Sequence, residues 1–148
     1  MGIDPTAVDP EEFARQVGMV SDDDLATLMG GELRSAALDE IFTRMVAHFR
    51  PDRARGLDAV IHWKIFDRPG GGYDHYELVI ADGSCTLSDH PDNPPNVTFR
   101  IPPVDFLKLV TGNASPTGLA LRRRLQVLGD LGLGRRVGTL FEVPSSRR

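Results

Sequence analysis

Residues 96–141 read NVTFRIPPVDFLKLVTGNASPTGLALRRRLQVLGDLGLGRRVGTLF. Val97, Phe99 and Ile101 alternate with Thr98 and Arg100, the period of a half-buried strand. Pro102 and Pro103 end that strand and open a helix carrying Val104, Phe106, Leu107, Leu109 and Val110, which stops at Gly112. So many large apolar residues on two turns exceed one core-facing stripe. The surplus is either core or cavity wall, and periodicity alone does not separate the two. Leu125-Gln126-Val127-Leu128 predicts a further strand. Leu131, Leu133, Val137, Leu140 and Phe141 then fit a closing helix before a polar tail.

Working back towards the N-terminus, the period is again two. Ile61, Trp63 and Ile65 alternate with His62 and Lys64, and Tyr76, Leu78 and Ile80 alternate with His75, Glu77 and Val79. The glycine-rich segment 68–72 joins these two strands into a hairpin. Asp82-Gly83 is a two-residue turn signal leading into a strand over 84–88. With the strands near 97–101 and 125–128, the sheet has five members.

The first third is helical. Asp9-Pro10-Glu11-Glu12 supplies an N-cap acid, a proline at the first helical position and acids in the first turn, and predicts a helix to about Val17. Ser21 before Asp22, Asp23 and Asp24 opens a second helix with Leu25, Leu28 and Met29 on its apolar stripe. The acid triplet is read as compensation of the helix dipole in preference to a metal site. Leu38, Ile41, Phe42, Met45 and Phe49 mark a longer amphipathic helix, with Asp39, Glu40, Thr43, Arg44 and His48 on its other face and Pro51 ending it.

Length and composition narrow the functional classes. The chain has 148 residues, 41% of them hydrophobic, which suits one core. Its net charge of −4 argues against a nucleic-acid binder that works through a general positive field. Single Cys85 has no partner for an internal disulfide, and the opening residues lack the basic start and apolar run of a signal peptide. The expected location is cytoplasmic. No apolar run approaches the ~18 residues needed to span a bilayer. Arginine outnumbers lysine 15 to 2, a skew that points to a GC-rich coding sequence and a bacterial source. Met1-Gly2-Ile3-Asp4-Pro5-Thr6 fits the loose N-myristoylation pattern and is read as chance.

Motifs for chemistry are sparse. Gly132, Gly134 and Gly138 imitate a dinucleotide loop, but too little chain follows to complete a βαβ unit. The G-x-S-x-G, H-E-x-x-H and P-loop patterns do not occur. His62 and His75 can face each other across the first hairpin, where they are read as solvated outer-face residues. Cys85 is read as core. Asn96-Val97-Thr98 and Asn113-Ala114-Ser115 match a glycosylation pattern and are set aside for an intracellular chain. Neither a metal nor a cofactor is expected. Arg122-Arg123-Arg124 is the concentrated basic run, either a solvated strand end or a contact for phosphate or an anionic membrane.

The order of features in residues 96–141 resembles the C-terminal half of sterol carrier protein 2 (SCP2) domains. These are the strand at Thr98-Phe99-Arg100-Ile101, the helix with Phe106 and Leu109, Thr111-Gly112, Pro116, Leu125-x-Val127-x-Gly129-Asp130, and a final helix. The likeness extends more weakly back to about residue 30. The family usually has a glycine just before the basic residue that opens the last strand, and here Arg123 stands there.

The resemblance implies an α+β fold: a five-stranded, largely antiparallel sheet with helices packed on one face and an apolar tunnel for a fatty acid, acyl-CoA or sterol. The expected organisation is an N-terminal helical extension over 1–29, the lipid-binding domain over 30–143 and a polar tail over 144–148. Trp63, Phe99, Phe106, Leu109, Val110, Leu121, Val137, Leu140 and Phe141 are the expected tunnel lining. Arg122, Arg123 and Arg124 are the expected head-group or membrane contact. Non-catalytic lipid carriage is the leading reading. Two others stay open: an enzyme on a lipid thioester or steroid using Asp105, Asp130, His75 or Tyr76, and an interaction domain with a closed tunnel.

Overall fold

The computed structural model describes residues 4–141. The residues at 1–3, within the acylation-like start, and the polar tail at 144–148 lie outside the described residues. The elements run α1 Pro10–Met19, α2 Asp22–Met29, α3 Arg34–Ala47, β1 Ala59–Ile65, β2 Asp74–Ala81, β3 Ser84–Leu87, β4 Val97–Ile101, α4 Pro103–Val110, α5 Pro116–Leu121, β5 Gln126–Gly129 and α6 Leu131–Leu140, with a short 3-10 turn at Pro51–Arg53.

Local chemistry sets the helix starts. Asp9 caps α1 by accepting from the Glu12 N–H at 2.8 Å, with Pro10 following. Ser21 caps α2 by accepting from the Asp24 N–H at 3.1 Å. Asp22 also reaches Lys108 Nζ at 2.6 Å, so the acid triplet helps to join α2 to α4. Helix α3 stops at Ala47, so Phe49 lies beyond it and bridges to Phe141, while Arg50, the residue before Pro51, is extended. Helix α5 is an addition to the expected set: Ser115 accepts from the Gly118 N–H at 3.0 Å and Pro116 follows, but the helix is short and buries only Leu119.

The sheet order is β3-β2-β1-β4-β5. Every neighbouring pair is antiparallel except β1 and β4, which run parallel with Trp63 beside Phe99. The fold is therefore α+β with a mixed, mostly antiparallel sheet. Asp82 and Gly83 turn β2 into β3 with φ of 52° and 76°, the left-handed pair that a tight hairpin needs. At the end of β5 a Cβ on Gly129 would lie 2.5 Å from the Asn96 carbonyl oxygen, and its φ of 98° also requires glycine. Asp130 then caps α6 by accepting from the Leu133 N–H at 3.0 Å.

One face of the sheet carries the core. Phe42 from α3 stacks on Tyr76 and Phe106, with ring centroids 4.1 and 5.4 Å away, and Trp63 stacks on Phe99 at 4.5 Å. Phe13, Val17, Leu25 and Leu28 of the N-terminal helices belong to the same apolar cluster. Buried Arg34 was not anticipated. All five of its N–H groups have acceptors: the carbonyls of Met29, Ile65, Phe66 and Asp67, and Oδ2 of Asp74.

Candidate functional site

An apolar cavity of about 290 Å³ lies between the core face of the sheet and the helices. Trp63 and Phe99 form its floor on β1 and β4. Ile41, Arg44 and Met45 come from one face of α3 with His48 at its C-cap, and Pro10 and Phe13 come from α1. Leu109 and Val110 end α4 on another side, and Gly134, Val137 and Gly138 close it from α6 with Phe141. A Cβ on Gly134 would sit 2.8 Å from Val127 Cγ1, so glycine lets α6 approach the sheet there. At Gly138, one turn on, a Cβ would meet nothing within 4 Å, and this exposed residue stands on the rim with exposed Gly112 and Pro116.

Polar groups on the wall are few. Thr111 is satisfied, its hydroxyl donating to the Leu107 carbonyl at 2.6 Å. His48 Nδ1 lies 2.7 Å from the Arg44 carbonyl and donates to it, which leaves Nε2 free of that bond. Arg44 and Trp63 also line the cavity, but Arg44 Nη1 and Trp63 Nε1 are themselves shut away from it and have no hydrogen-bond partner among the described residues.

Six of the nine expected lining residues, Trp63, Phe99, Leu109, Val110, Val137 and Phe141, face this cavity. Three do not line it. Phe106 is wholly buried among Phe42 and Trp63, on the part of α4 turned into the core, and Leu140 is wholly buried as well. Leu121 ends the short α5 and is 80% exposed. Within the basic run, Arg124 pairs with Asp105 at 2.8 Å, while Arg122 and Arg123 are exposed. Arg123 has a φ of 59°, so it adopts the left-handed turn for which glycine is the natural residue.

Sequence reading placed Arg44 and His48 on the polar face of α3. They instead share the cavity wall with Ile41 and Met45, and the spacing 41, 44, 45, 48 is itself one helical face. That spacing was the available signal, obscured because an arginine and a histidine score as solvent-facing.

The opposite face of the sheet corrects another expectation. His62 is buried, not solvated: its Nε2 lies 3.0 Å from Glu77 Oε1, and its Nδ1 lies 2.8 Å from His75 Nε2. Glu77 also accepts from the Ser88 hydroxyl and from the backbone and side-chain N–H groups of Asn93. Burial would raise the Glu77 carboxyl, but these donors overcome it and hold the pKa at about 2. His75 is pushed below its usual 6.5 by burial and by the charges of His62 and Lys64. Buried Cys85, on β3, has its thiol pushed up to about 11 by burial, which makes it a poor nucleophile.

The residues considered for acid–base chemistry are not brought together. Asp105 pairs with Arg124, Asp130 caps α6, His75 lies with His62, and Tyr76 donates to Asp39 at 2.7 Å. None of the four is on the cavity wall. Among the described residues no group of three or more His, Cys, Asp or Glu is placed to hold a metal, and no helix is long and apolar enough to cross a membrane.

Comparison with known proteins agrees with this architecture. Human sterol carrier protein 2 is 23% identical over 92 residues, 62% of this chain, which spans only 17% of the human protein's length. The sec-alkylsulfatase Pisa1 from Pseudomonas sp. shares the fold over 74% of this chain and 17% of its own, with a TM-score of 0.57 and 19% identity. Palmitated SCP2L2 from Aedes aegypti shares it over 67% of this chain and 88% of its own, with a TM-score of 0.54 and 16% identity. The family model for the SCP-2 sterol transfer family matches residues 38–142, spanning the sheet, α4, α6 and the cavity floor, and the chain belongs to that family.

Proposed function

We propose that this chain is a non-catalytic lipid carrier that holds one fatty or sterol-like molecule in the cavity between sheet and helices. The observation that carries the reading is an almost wholly apolar cavity, floored by Trp63 and Phe99, inside a domain of the SCP-2 sterol transfer family. The palmitated state of the Aedes neighbour supports an acyl chain as occupant. The physics is sufficient without a catalytic residue. A chain of about 16 methylenes is worth roughly 13 kcal/mol gross at ~0.8 kcal/mol each, less several kcal/mol for association and ordering.

Gly138 on the rim provides the test. A tryptophan there projects from a helix position with free space around it, so Gly138→Trp is expected to fold normally and to reduce uptake of labelled fatty acid at least tenfold. Undiminished uptake by the variant, or native mass spectra of the parent protein showing no bound lipid after incubation, would refute lipid carriage in this cavity.

Exchange with anionic membranes belongs to the same proposal. Exposed Leu121 stands beside exposed Arg122 and Arg123, so an apolar side chain and two cations neighbour one another in the chain. Each cation near an anionic surface contributes on the order of 1 kcal/mol, and salt weakens it. Converting Arg122, Arg123 and Arg124 to Gln is expected to slow transfer from anionic vesicles at low salt and to leave transfer from neutral vesicles unchanged. Equal transfer by variant and parent from anionic vesicles at low salt would leave the basic run without this role.

A further inference from the structure

On the sheet face opposite the cavity, His75, Lys64 and Arg100 stand side by side on β2, β1 and β4, paired in register across the strands. Neighbouring strands lie about 4.8 Å apart, so long side chains on either side of Lys64 can close around one small ion. Among the described residues neither Lys64 nor Arg100 has a carboxylate or a side-chain hydrogen-bond partner, and each lies over an aromatic ring instead. Lys64 Nζ is 5.0 Å from the centre of the Tyr73 ring, and Arg100 Cζ is 4.8 Å from that of Phe66. A ring face attracts a cation without cancelling its charge. Arg100 Nε is buried, so contact with an ion falls to its Nη groups, which are not shut in.

Beside this row the hydrogen bonds of the histidines run in one direction. Glu77 is ionised and accepts, so His62 carries its proton on Nε2 and turns the lone pair of Nδ1 to His75. His75 therefore donates through Nε2, and its neutral ring keeps a lone pair at Nδ1. That atom has no partner among the described residues and is not buried. Burial, with the charges of His62 and Lys64, keeps the ring neutral around pH 7. The row thus presents two cations and one fixed acceptor.

We propose that this row is an anion site and that it takes hydrogen phosphate, an oxyanion that carries both negative charge and an O–H. Lys64 Nζ and the Arg100 Nη groups donate to its oxygens, and its hydroxyl donates to His75 Nδ1. Sulfate has the same tetrahedral shape but no proton, so one of its oxygens would face the Nδ1 lone pair. The bond to His62 makes the difference, because it keeps His75 from turning Nδ1 into a donor by a switch of tautomer. The site lies across the sheet from the cavity rim at Gly112, Pro116 and Gly138, and so does not depend on what the cavity holds. For the same reason its occupant is the free ion and not the head group of a lipid entering the cavity.

The test titrates inorganic phosphate and sulfate into the whole protein and follows the amide NMR shifts of β1, β2 and β4. At about pH 8, where both ions are dianions, phosphate is expected to bind at least about tenfold tighter, the factor for one hydrogen bond made in place of a lone-pair clash. Lys64→Gln combined with Arg100→Gln should weaken phosphate by at least about tenfold. His75→Phe should bring the two ions close to equal affinity. The groups facing His75 are His62 and Lys64 from β1, Glu77 from β2, Arg100 from β4 and Tyr73 just ahead of β2. On lowering the pH to about 5.5 the parent should bind sulfate several-fold tighter, since Nδ1 takes a proton and becomes a donor, and His75→Phe should lose that gain. The pH series on the parent decides the matter if His75→Phe does not fold. No binding of phosphate, equal affinity of the parent for the two ions, undiminished binding by the double variant, a preference that survives in His75→Phe, or sulfate binding indifferent to pH would each overturn the proposal. Binding to phosphatidate vesicles with none to inorganic phosphate would overturn it as well.

Discussion

Arg34 and Arg44 stand at opposite ends of the same helix, α3, and both are drawn in from solvent. Arg34 is 2% exposed and spends every N–H on an acceptor, four of them backbone carbonyls and the fifth the Asp74 carboxylate. Arg44 donates through Nε and Nη2, and its buried Nη1 has no acceptor among the described residues. The first arginine is a clamp holding α2, the end of β1 and the start of β2 to one point. The second is a lighter clamp, tying α3 to the carbonyl of Val8 just ahead of α1. Burial of a charge does not by itself say how firmly it is held; the number of its donors that find acceptors does.

The sharpest way to break that comparison is to truncate each arginine and measure stability by urea unfolding. Arg34→Ala leaves Asp74 and four carbonyls without their donor, and is expected to cost about 3–5 kcal/mol, the range for removing one partner of a buried ion pair. Arg44→Ala loses two bonds near the surface and is expected to cost only about 1–2 kcal/mol. Equal losses would mean that Arg44 is as structural as Arg34.

The outer face of the sheet supplies a second fully satisfied group. Glu77 is 1% exposed and accepts four hydrogen bonds, from His62, Ser88 and both N–H groups of Asn93. Its carboxyl titrates at about 2 in the fold against 4.5 for the ordinary group, so the unfolded chain takes up the proton first as pH falls. The stability it contributes, about 3 kcal/mol, is full above ~pH 5 and is lost as pH drops through 4.5 towards 2. His75, held below 6.5, acts with the same sign at higher pH, since the unfolded chain binds its proton first below about that value. Urea midpoints at pH 7, 5 and 3 should fall, steepest at the acid end, and Glu77→Gln should be less stable at pH 7 and flatter in acid. A midpoint independent of pH would show that this network is not formed in solution.

Much of this architecture was legible in the sequence, for reasons that differ by element. The period-two strands at 61–65, 76–80 and 97–101, the caps at Asp9 and Ser21 and the Asp82-Gly83 turn all carry their physics locally. Helix α5 was not legible, because six residues with Gly118 inside and one buried leucine leave no periodic trace. The roles of Arg34, Arg44, His62 and Glu77 were not legible either. Arg34, His62 and Glu77 find most of their partners far along the chain, and Arg44 adds distant Val8 to its i,i+4 pair with Glu40; local pattern assigns such residues to solvent. The cavity was half legible: Val110 and Leu109 reach it while Phe106 on the same helix points into the core, a difference set by the way α4 rolls against Phe42.

Trp63 gives a smaller effect on the cavity side of the comparison. It is the single tryptophan, it stacks on Phe99 in the cavity floor, and its Nε1 is a second donor without a partner among the described residues. Saturation with myristate is expected to change its emission intensity or shift its maximum by a few nanometres, roughly the scale of a change in local packing and polarity without exposure to bulk water. An emission spectrum indifferent to bound lipid would place the occupant away from β1.

The smallest effect concerns Arg123, whose backbone φ of 59° is the left-handed conformation that favours glycine. Left-handed backbone costs a residue with a Cβ about 1–2 kcal/mol, and glycine avoids that cost but adds about 0.4–1 kcal/mol of unfolded-state entropy. Arg123→Gly is therefore expected to stabilise the fold by roughly 0.5 kcal/mol, about 2 °C in Tm for a chain of this size. The neighbouring Arg122, with a φ of −86°, has no such strain, and Arg122→Gly should lower Tm. A protein that keeps a strained arginine where a glycine would be more stable has been selected for the charge, or has drifted. The two are separated by the same pair of variants in vesicle transfer. If Arg123→Gly raises Tm and also slows transfer from anionic membranes, the strain is retained for membrane contact. If Tm rises and transfer is unchanged, Arg123 contributes nothing that offsets its strain. A fall in Tm for Arg123→Gly would show that the side chain holds the turn before β5 in place, and that its backbone conformation is not the weak point described here.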